Sequence, residues 1–310
     1  MATSSRKNQF RKIPPKERLP KWITPSLGKV SQLAEVQSLI KKNRLHTICE
    51  EARCPNRGEC YAAGTATFLI GGALCTRSCA FCQVEKGSPK KKVDYLEADR
   101  IANAVQKLGL RYVVITSVAR DDLDDHGASL FTRTIAAIRK INKNIAIEVL
   151  TPDFWSCCST ERLAEIKQKE RLEEVLNSRP ICFNHNLETV ERLQKEVRRG
   201  ATYTSSLGLL KAARKLAPAI PTKSGLMLGL GENKEEIIQT LKDLRSVDCQ
   251  FLTLGQYLRP SLSHIPVQHY WHPKDFTEFA DIAKDLGFKK VNSGPLVRSS
   301  YHAEEDNYLS

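Results

Sequence analysis

No run of eighteen or more apolar residues occurs in this 310-residue sequence, and its longest apolar pieces, such as Tyr112 to Ile115 and Gly225 to Leu230, are the size of single strands. A transmembrane helix is thereby excluded. The start, MATSSRKNQFRKIPPKER, is charged but lacks an apolar stretch ahead of a small-residue cleavage site. A secretory signal is not expected; a cytoplasmic location is, with a basic, Ser-containing organelle transit peptide as the other reading. Internal repeats and low-complexity tracts are also missing. What remains is an ordinary globular mix, 41% hydrophobic and 27% charged, enough for one large domain with trimmings or for two domains.

Acidic residues are in short supply, 35 against 48 basic, for a net charge of +13. Residues 1–44 carry eleven Lys or Arg against only Glu17 and Glu35, a local net of +9, so most of the excess is an N-terminal basic arm. Such an arm is either a solvated tail or a lure for an acidic partner, whether nucleic acid or protein.

Beyond the arm, Val30 to Lys41 has a helical pattern and Thr65 to Gly72 reads as a strand. Strand-like runs then recur at Tyr112 to Ser117, Ile145 to Leu150, Ile181 to Asn184, Ser224 to Leu230, Phe251 to Leu254 and Lys289 to Asn292. Charged helical segments such as Leu96 to Leu108 and Lys234 to Leu244 separate them. Strands joined through helices run parallel, and an unbroken series of this kind predicts an α/β fold, a partial (βα) barrel of six βα units with N-terminal and C-terminal extensions. The divisions predicted are a basic arm over 1–44, a cysteine-bearing segment over 45–64, the barrel over 65–285 and a C-terminal extension over 286–310. Polar residues just past the strands are the candidates for chemistry: Ser117 to Asp122, Thr151 to Asp153, Asn184 to Asn186, Gly231 to Glu232 and Gln256 to Arg259.

Of ten cysteines, six crowd into 34 residues, at 49, 54, 60, 75, 79 and 82, while Cys157, Cys158, Cys182 and Cys249 are scattered. In a reducing compartment these are thiols rather than a disulfide framework, and their crowding points to metal. Cys75-Thr-Arg-Ser-Cys79-Ala-Phe-Cys82 is a CX3CX2C triplet just after the first barrel strand. Three thiolates can hold three irons of a cubane cluster and leave the fourth open to a small molecule, whereas a zinc ribbon would need a second CX2C knuckle, which is missing. Cys49-Glu-Glu-Ala-Arg-Cys54-Pro-Asn-Arg-Gly-Glu-Cys60 is a second triplet, CX4CX5C, read as a second cluster, with zinc completed by His46 as the alternative.

A CX3CX2C loop with an aromatic, Phe81, before its last cysteine resembles the signature of the radical S-adenosylmethionine (radical SAM) enzymes. The resemblance implies a cluster whose open iron chelates S-adenosylmethionine and delivers one electron to cleave it, with the main chain near Phe81 meeting the adenine. The upstream CX4CX5C and the tail Arg298-Ser299-Ser300-Tyr301 narrow the resemblance to the lipoyl synthase family. Also similar to that family are YVVITSV with RDDL (Tyr112 to Leu123), IEVLTPDF (Ile147 to Phe154), FNHNLETV (Phe183 to Val190), TKSGLMLGLGE (Thr222 to Glu232) and LTLGQYLRPS (Leu252 to Ser261). Together they cover about residues 20 to 303. Departures are Ala119, where an acidic residue is expected, and Trp155-Ser-Cys-Cys158 in place of Arg-Gly.

The lipoyl synthase resemblance implies insertion of two sulfur atoms, at C6 and C8, into an octanoyl chain on a lysine of a lipoyl carrier protein. That carrier would be the E2 component of a 2-oxoacid dehydrogenase or the glycine cleavage H protein. It implies two 4Fe-4S clusters and S-adenosylmethionine as cofactors, with Cys75, Cys79 and Cys82 as one ligand set. Cys49, Cys54, Cys60 and a tail serine form the other set, which serves as sulfur store. Adjacent residues of an extended tail point to opposite sides, so Ser299 and Ser300 do not both reach the iron; the family motif favours Ser300. Ser117 is expected near the methionine moiety, Glu148 or Asn184 near the ribose, and the stretch Gly225 to Glu232, with Gly229 at its centre, near the adenine. Further partners implied are a low-potential electron donor such as ferredoxin or flavodoxin and an iron–sulfur cluster carrier. Neither membrane nor nucleic acid is expected; an RNA methylthiotransferase, which would use the arm for RNA, is the rival.

Other features receive plainer readings. His185 is structural, His264, His269 and His272 share a loop without metal spacing, and the acids of RDDLDD (Arg120 to Asp125) form a solvated helix start. Cys182 and Cys249 pack as small hydrophobes, and Cys157 and Cys158 have no neighbour in sequence that would lower their pKa.

Overall fold

The computed structural model describes residues 19–23, 30–52, 54–89, 93–155, 158–301 and 303. Much of the basic arm, residues 1–18 and 24–29, lies outside them, as do Cys157 and the last residues of the C-terminal extension. Seven parallel strands form the framework: β1 (Thr65–Ile70), β2 (Tyr112–Ser117), β3 (Ala146–Leu150), β4 (Cys182–Asn184), β5 (Thr222–Leu228), β6 (Phe251–Gln256) and β7 (Lys290–Gly294). Six helices connect them in turn, α1 (Glu97–Lys107), α2 (Ala128–Ile141), α3 (Glu161–Asn177), α4 (Tyr203–Leu216), α5 (Lys234–Ser246) and α6 (Pro273–Asp285). The strands lie side by side in chain order, and a short segment, His46–Thr47, adds antiparallel to the outer edge of β1. β1 and β7 are not paired with each other, so this is an open, partial barrel of six βα units.

Alternation along the strands explains the layers. Ala66, Phe68 and Ile70 of β1, Val113 and Ile115 of β2, Ile147 and Val149 of β3 and Leu226 and Leu228 of β5 join one apolar core with Ile101, Phe131, Leu172, Leu209 and Leu241 of the helices. The intervening residues face the barrel interior, where polar side chains collect: Tyr112, Glu148, Asn184 and Lys223. Helix starts are chemically marked. Thr160 and Thr202 cap α3 and α4, Asn233 and Glu236 form a capping box on α5, and His272 with Asp275 does the same for α6 ahead of Pro273. His272 is therefore a cap.

Two boundaries differ from the sequence reading. β5 begins at Thr222 and stops at Leu228, because Gly229 turns the chain with φ +106°. The strand β7 falls within the supposed C-terminal extension but pairs residue for residue with β6, so the barrel runs to Gly294. After β7 the tail folds back over the barrel. Gly255 of β6 has no room for a Cβ, which would come within 2.1 Å of the Val297 carbonyl oxygen, and Ala303 is buried against Tyr112 and Val114 of β2. The tail also meets the segment that carries Cys49, Cys54 and Cys60.

Candidate active site

Cys49 sits on a four-residue helix, Ile48–Glu51, capped by Thr47, and Cys60 on the helix Arg57–Ala62. With Cys54 they line a small recess whose wall is completed by Thr65 and Thr67 of β1 and by Arg298, Ser300 and Tyr301 of the tail. Three links tie tail to segment: Asn56 Nδ2 donates to the Leu296 carbonyl at 2.6 Å, Tyr301 Oη to Glu59 Oε1 at 3.2 Å, and Ser300 faces the cysteines. Ser299 points elsewhere, accepting from Asn186 Nδ2 at 2.8 Å. His46, the alternative zinc ligand, is 3.0 Å from Glu51. Burial first, and then the neighbouring Cys54, push the Cys49 thiol up to about 11. A thiol so placed loses its proton to a metal rather than to water.

The CX3CX2C triplet follows β1 at its C-terminal end. Leu74–Cys75 pairs in parallel with Glu85–Lys86, and the loop between is pinned from several sides. Thr76 N–H donates to the Ala119 carbonyl at 3.1 Å, Ala80 N–H to Val197 at 2.8 Å, and His264 Nε2 lies 3.0 Å from the Cys82 carbonyl. Burial above all pushes the Cys82 thiol up to about 12 and also raises Cys79.

Asp121 is the anchor that sequence reasoning missed. It accepts from Arg77 Nη2 at 2.8 Å and from Thr76 Oγ1 at 2.7 Å, and the same Arg77 reaches the fully buried Asp153 at 2.7 Å. Burial alone would raise the Asp121 carboxyl, but contacts from His126 and Arg77 outweigh it and hold it well below the usual carboxylate range. The acids of RDDLDD are thus not a uniformly solvated helix start: Asp122 pairs with Arg120, and only Asp125 takes the amides of Gly127 and Ser129. Asp121→Asn is expected to loosen the cysteine loop. Reductive cleavage of S-adenosylmethionine, followed as deoxyadenosine released, should slow about 10- to 100-fold, the usual scale for residues that orient metal ligands; an unchanged rate would show that the loop holds without this anchor.

At the barrel mouth, buried oxygens lack partners: Ser117 Oγ at the end of β2, Thr151 Oγ1 after β3, Asn184 Oδ1 at the end of β4 and Asn186 Oδ1 beyond it. Ser117 and Asn184 are where the sequence reading put cofactor contacts. Glu148 is instead fully engaged inside the barrel, accepting from Tyr112 Oη at 2.7 Å, Asn184 Nδ2 at 2.9 Å and Lys223 Nζ at 3.3 Å. Gly229 also differs from its reading as an adenine neighbour. Its N–H goes to Glu232, its carbonyl accepts from Gln268, and its Cα face is closed by Gln256 and the His269 carbonyl. Phe81 is half-buried and packs on the main core. Trp155 and Cys158, in the divergent segment, line a groove with Thr76, Arg77, Asp121 and Arg199 beside the cysteine loop.

His185 is wholly buried, with Nδ1 2.8 Å from the Thr151 carbonyl and Nε2 3.0 Å from Arg198 Nη2. Arginine can only donate, so Nε2 accepts and Nδ1 carries the proton. Burial and then Arg198 push this imidazole down to about 3. Its folded pKa lies below the unfolded value, so the unfolded chain binds the proton more readily and stability is lost as pH falls below about 6.5. A loss of about 2 kcal/mol between pH 6.5 and pH 5 is expected in urea unfolding. A His185→Gln variant that kept the wild-type pH slope would remove His185 as its source.

The donors suit iron–sulfur chemistry. Each triplet supplies three sulfurs, the donor set that an iron–sulfur cluster takes from a protein. The partnerless oxygens at the strand ends suit a small polar cofactor. A profile of the radical SAM superfamily matches residues 69–244. The chain is 69% identical to a protein named lipoyl synthase 2 from one strain of Prochlorococcus marinus, covering 98% of this chain and 99% of that one.

The chain belongs to the lipoyl synthase family.

A second member of the family, lipoyl synthase 2 of another Prochlorococcus marinus strain, MIT 9313, is 66% identical over 99% of this chain and 100% of its own length. The fold extends beyond the lipoyl synthase family. The crystal structure of methylornithine synthase matches with a TM-score of 0.51 at 12% identity, covering 91% of this chain and 86% of that one.

Proposed function

We infer that this chain is a lipoyl synthase, inserting two sulfur atoms at C6 and C8 of an octanoyl chain held on a lysine of a lipoyl carrier protein. The observation that carries the reading is the meeting of Cys49, Cys54 and Cys60 with Ser300 at one recess, on a barrel that has a separate CX3CX2C loop at the other end of β1. Cys75, Cys79 and Cys82 would hold one 4Fe-4S cluster, beside S-adenosylmethionine. Cys49, Cys54, Cys60 and Ser300 would hold the other. Bound there, these groups supply the one-electron chemistry that breaks unactivated C–H bonds, and the sulfur that replaces hydrogen.

The protein's own share is placement, because such C–H bonds yield to no side-chain base. Asp121 and Arg77 fix the shape of the cysteine loop. Ser117 Oγ, Asn184 Oδ1 and Asn186 Oδ1 offer acceptors for the ammonium and hydroxyl hydrogens of S-adenosylmethionine. Leu69, Val84 and Val118 pack as a buried apolar cluster against Cys75 and Cys82, suited to keeping water from the cysteine loop. Ser300 offers iron a harder and weaker ligand than thiolate, which suits a centre that gives up its sulfur.

The macromolecular substrate is an octanoylated carrier domain. A ferredoxin or flavodoxin would deliver the electrons, and a cluster carrier would restore the recess after turnover. Among the described residues no helix is long and apolar enough to cross a membrane. The RNA methylthiotransferase alternative is set aside, since relatives matching over the whole chain bear the lipoyl synthase name. The test is the mass of an octanoyl-lysine peptide after anaerobic incubation with cluster-loaded protein, S-adenosylmethionine and a strong reductant. Two sulfurs in place of two hydrogens is the expected product; deoxyadenosine with an unmodified peptide would overturn the substrate.

A further inference from the structure

The tail sends two consecutive serines to two different places. Ser300 lines the cysteine recess, while Ser299 Oγ accepts from Asn186 Nδ2 at 2.8 Å. That amide also donates to Glu188 Oε1 at 3.1 Å, and its own oxygen, Asn186 Oδ1, is buried at the barrel mouth without a partner. Asn186 lies against Gly225 of β5, where a Cβ would come within 2.9 Å of Asn186 Oδ1 and 2.5 Å of Thr253 Oγ1. One side chain therefore has one end buried at the barrel mouth without a partner and the other end on the tail.

We propose that Ser299 is a positioning residue whose hydrogen bond to Asn186 couples occupancy of the barrel mouth by S-adenosylmethionine to closure of the tail over the cysteine recess. The inference rests on the reading of that mouth as the S-adenosylmethionine site. A ligand hydrogen donated to Asn186 Oδ1 fixes the amide plane, and a fixed amide holds Ser299 better than a mobile one. Ser299 and Ser300 are neighbours joined by one planar peptide unit, so holding the first narrows the range open to the second. The coupling is reciprocal: a closed tail strengthens cofactor binding by the factor by which the cofactor favours closure.

The experiment is hydrogen–deuterium exchange on the full-length, cluster-loaded protein, with and without S-adenosylmethionine and without reductant, so that the cofactor stays whole. In the wild type, S-adenosylmethionine is expected to slow exchange in peptides covering residues 296–301 by about fivefold or more. Ser299→Ala is expected to lose that protection and to bind S-adenosylmethionine more weakly by a similar factor, while Ser299→Thr, which keeps the hydroxyl, retains both. A residue that only stabilised the fold would raise tail exchange equally with and without the cofactor. Binding to the wild type without tail protection, protection that survives Ser299→Ala, or a Ser299→Thr that behaves like alanine would each overturn the coupling alone. Failure of S-adenosylmethionine to bind the wild type would overturn the reading of the mouth, and the coupling with it.

Discussion

Ser300→Ala is expected to leave reductive cleavage of S-adenosylmethionine largely intact while cutting lipoyl formation at least about tenfold, the lower end of what lost support around a metal centre costs. The separation follows from placement. Ser300 faces Cys49, Cys54 and Cys60, whereas the CX3CX2C loop is held by hydrogen bonds with Ala119, Asp121, Val197 and His264, residues outside the tail. Deoxyadenosine and peptide mass, read from the same reaction, measure the two halves. Ser300→Cys makes a second arm. A thiolate binds iron more firmly than a serine oxygen, so this variant should keep its iron and still lose product. Wild-type product from Ser300→Ala would sink the assignment, as would deoxyadenosine falling in step with product.

Lys223→Met is expected to destabilise the fold by about 3–5 kcal/mol, seen as a lower urea midpoint, because it strands a buried carboxylate. Lys223 and Glu148 are both essentially without solvent contact, 3.3 Å apart in the barrel interior, and Tyr112 and Asn184 add hydrogen bonds to the same carboxylate. Removing one charge takes from the other a buried partner of opposite sign, whereas removing both need cost little. The double variant Glu148→Gln with Lys223→Met should recover most of the loss. A single variant as stable as the wild type, or a double variant worse than the single, would show that the pair does not act as a unit. The network joins β2, β3, β4 and β5, so what it contributes is agreement on register among four strands.

The parallel strands were legible because residues buried on both faces leave nearly continuous apolar runs, as in Tyr112 to Ile115. The start of β5 was hidden for the same reason reversed: Thr222 and Lys223 are polar yet buried, since they turn to a polar barrel interior. Both cysteine triplets could be read from spacing alone. Their surroundings could not, for they depend on contacts far apart in the chain: Asn56 with Leu296, Arg77 with Asp121, Asn186 with Ser299. Asp121 looked like any acid ahead of a helix, and only the fold brings it to Arg77. Gly229 was placed near the adenine by resemblance to the family, and spacing could not show that Gln256 and the chain at His269 lie against it.

The open seam between β1 and β7 gives the cysteine recess a mechanical meaning. Its walls come from the segment before β1 and from the tail after β7, so a metal centre shared by Cys60 and Ser300 would act as a clasp closing the open barrel. As a cross-link over so long a loop it would restrict the unfolded chain by about 5 kcal/mol on a chain-entropy argument. A synthase that spends this centre would unfasten its own barrel at each turnover, and its resistance to heat would record whether it had been refilled.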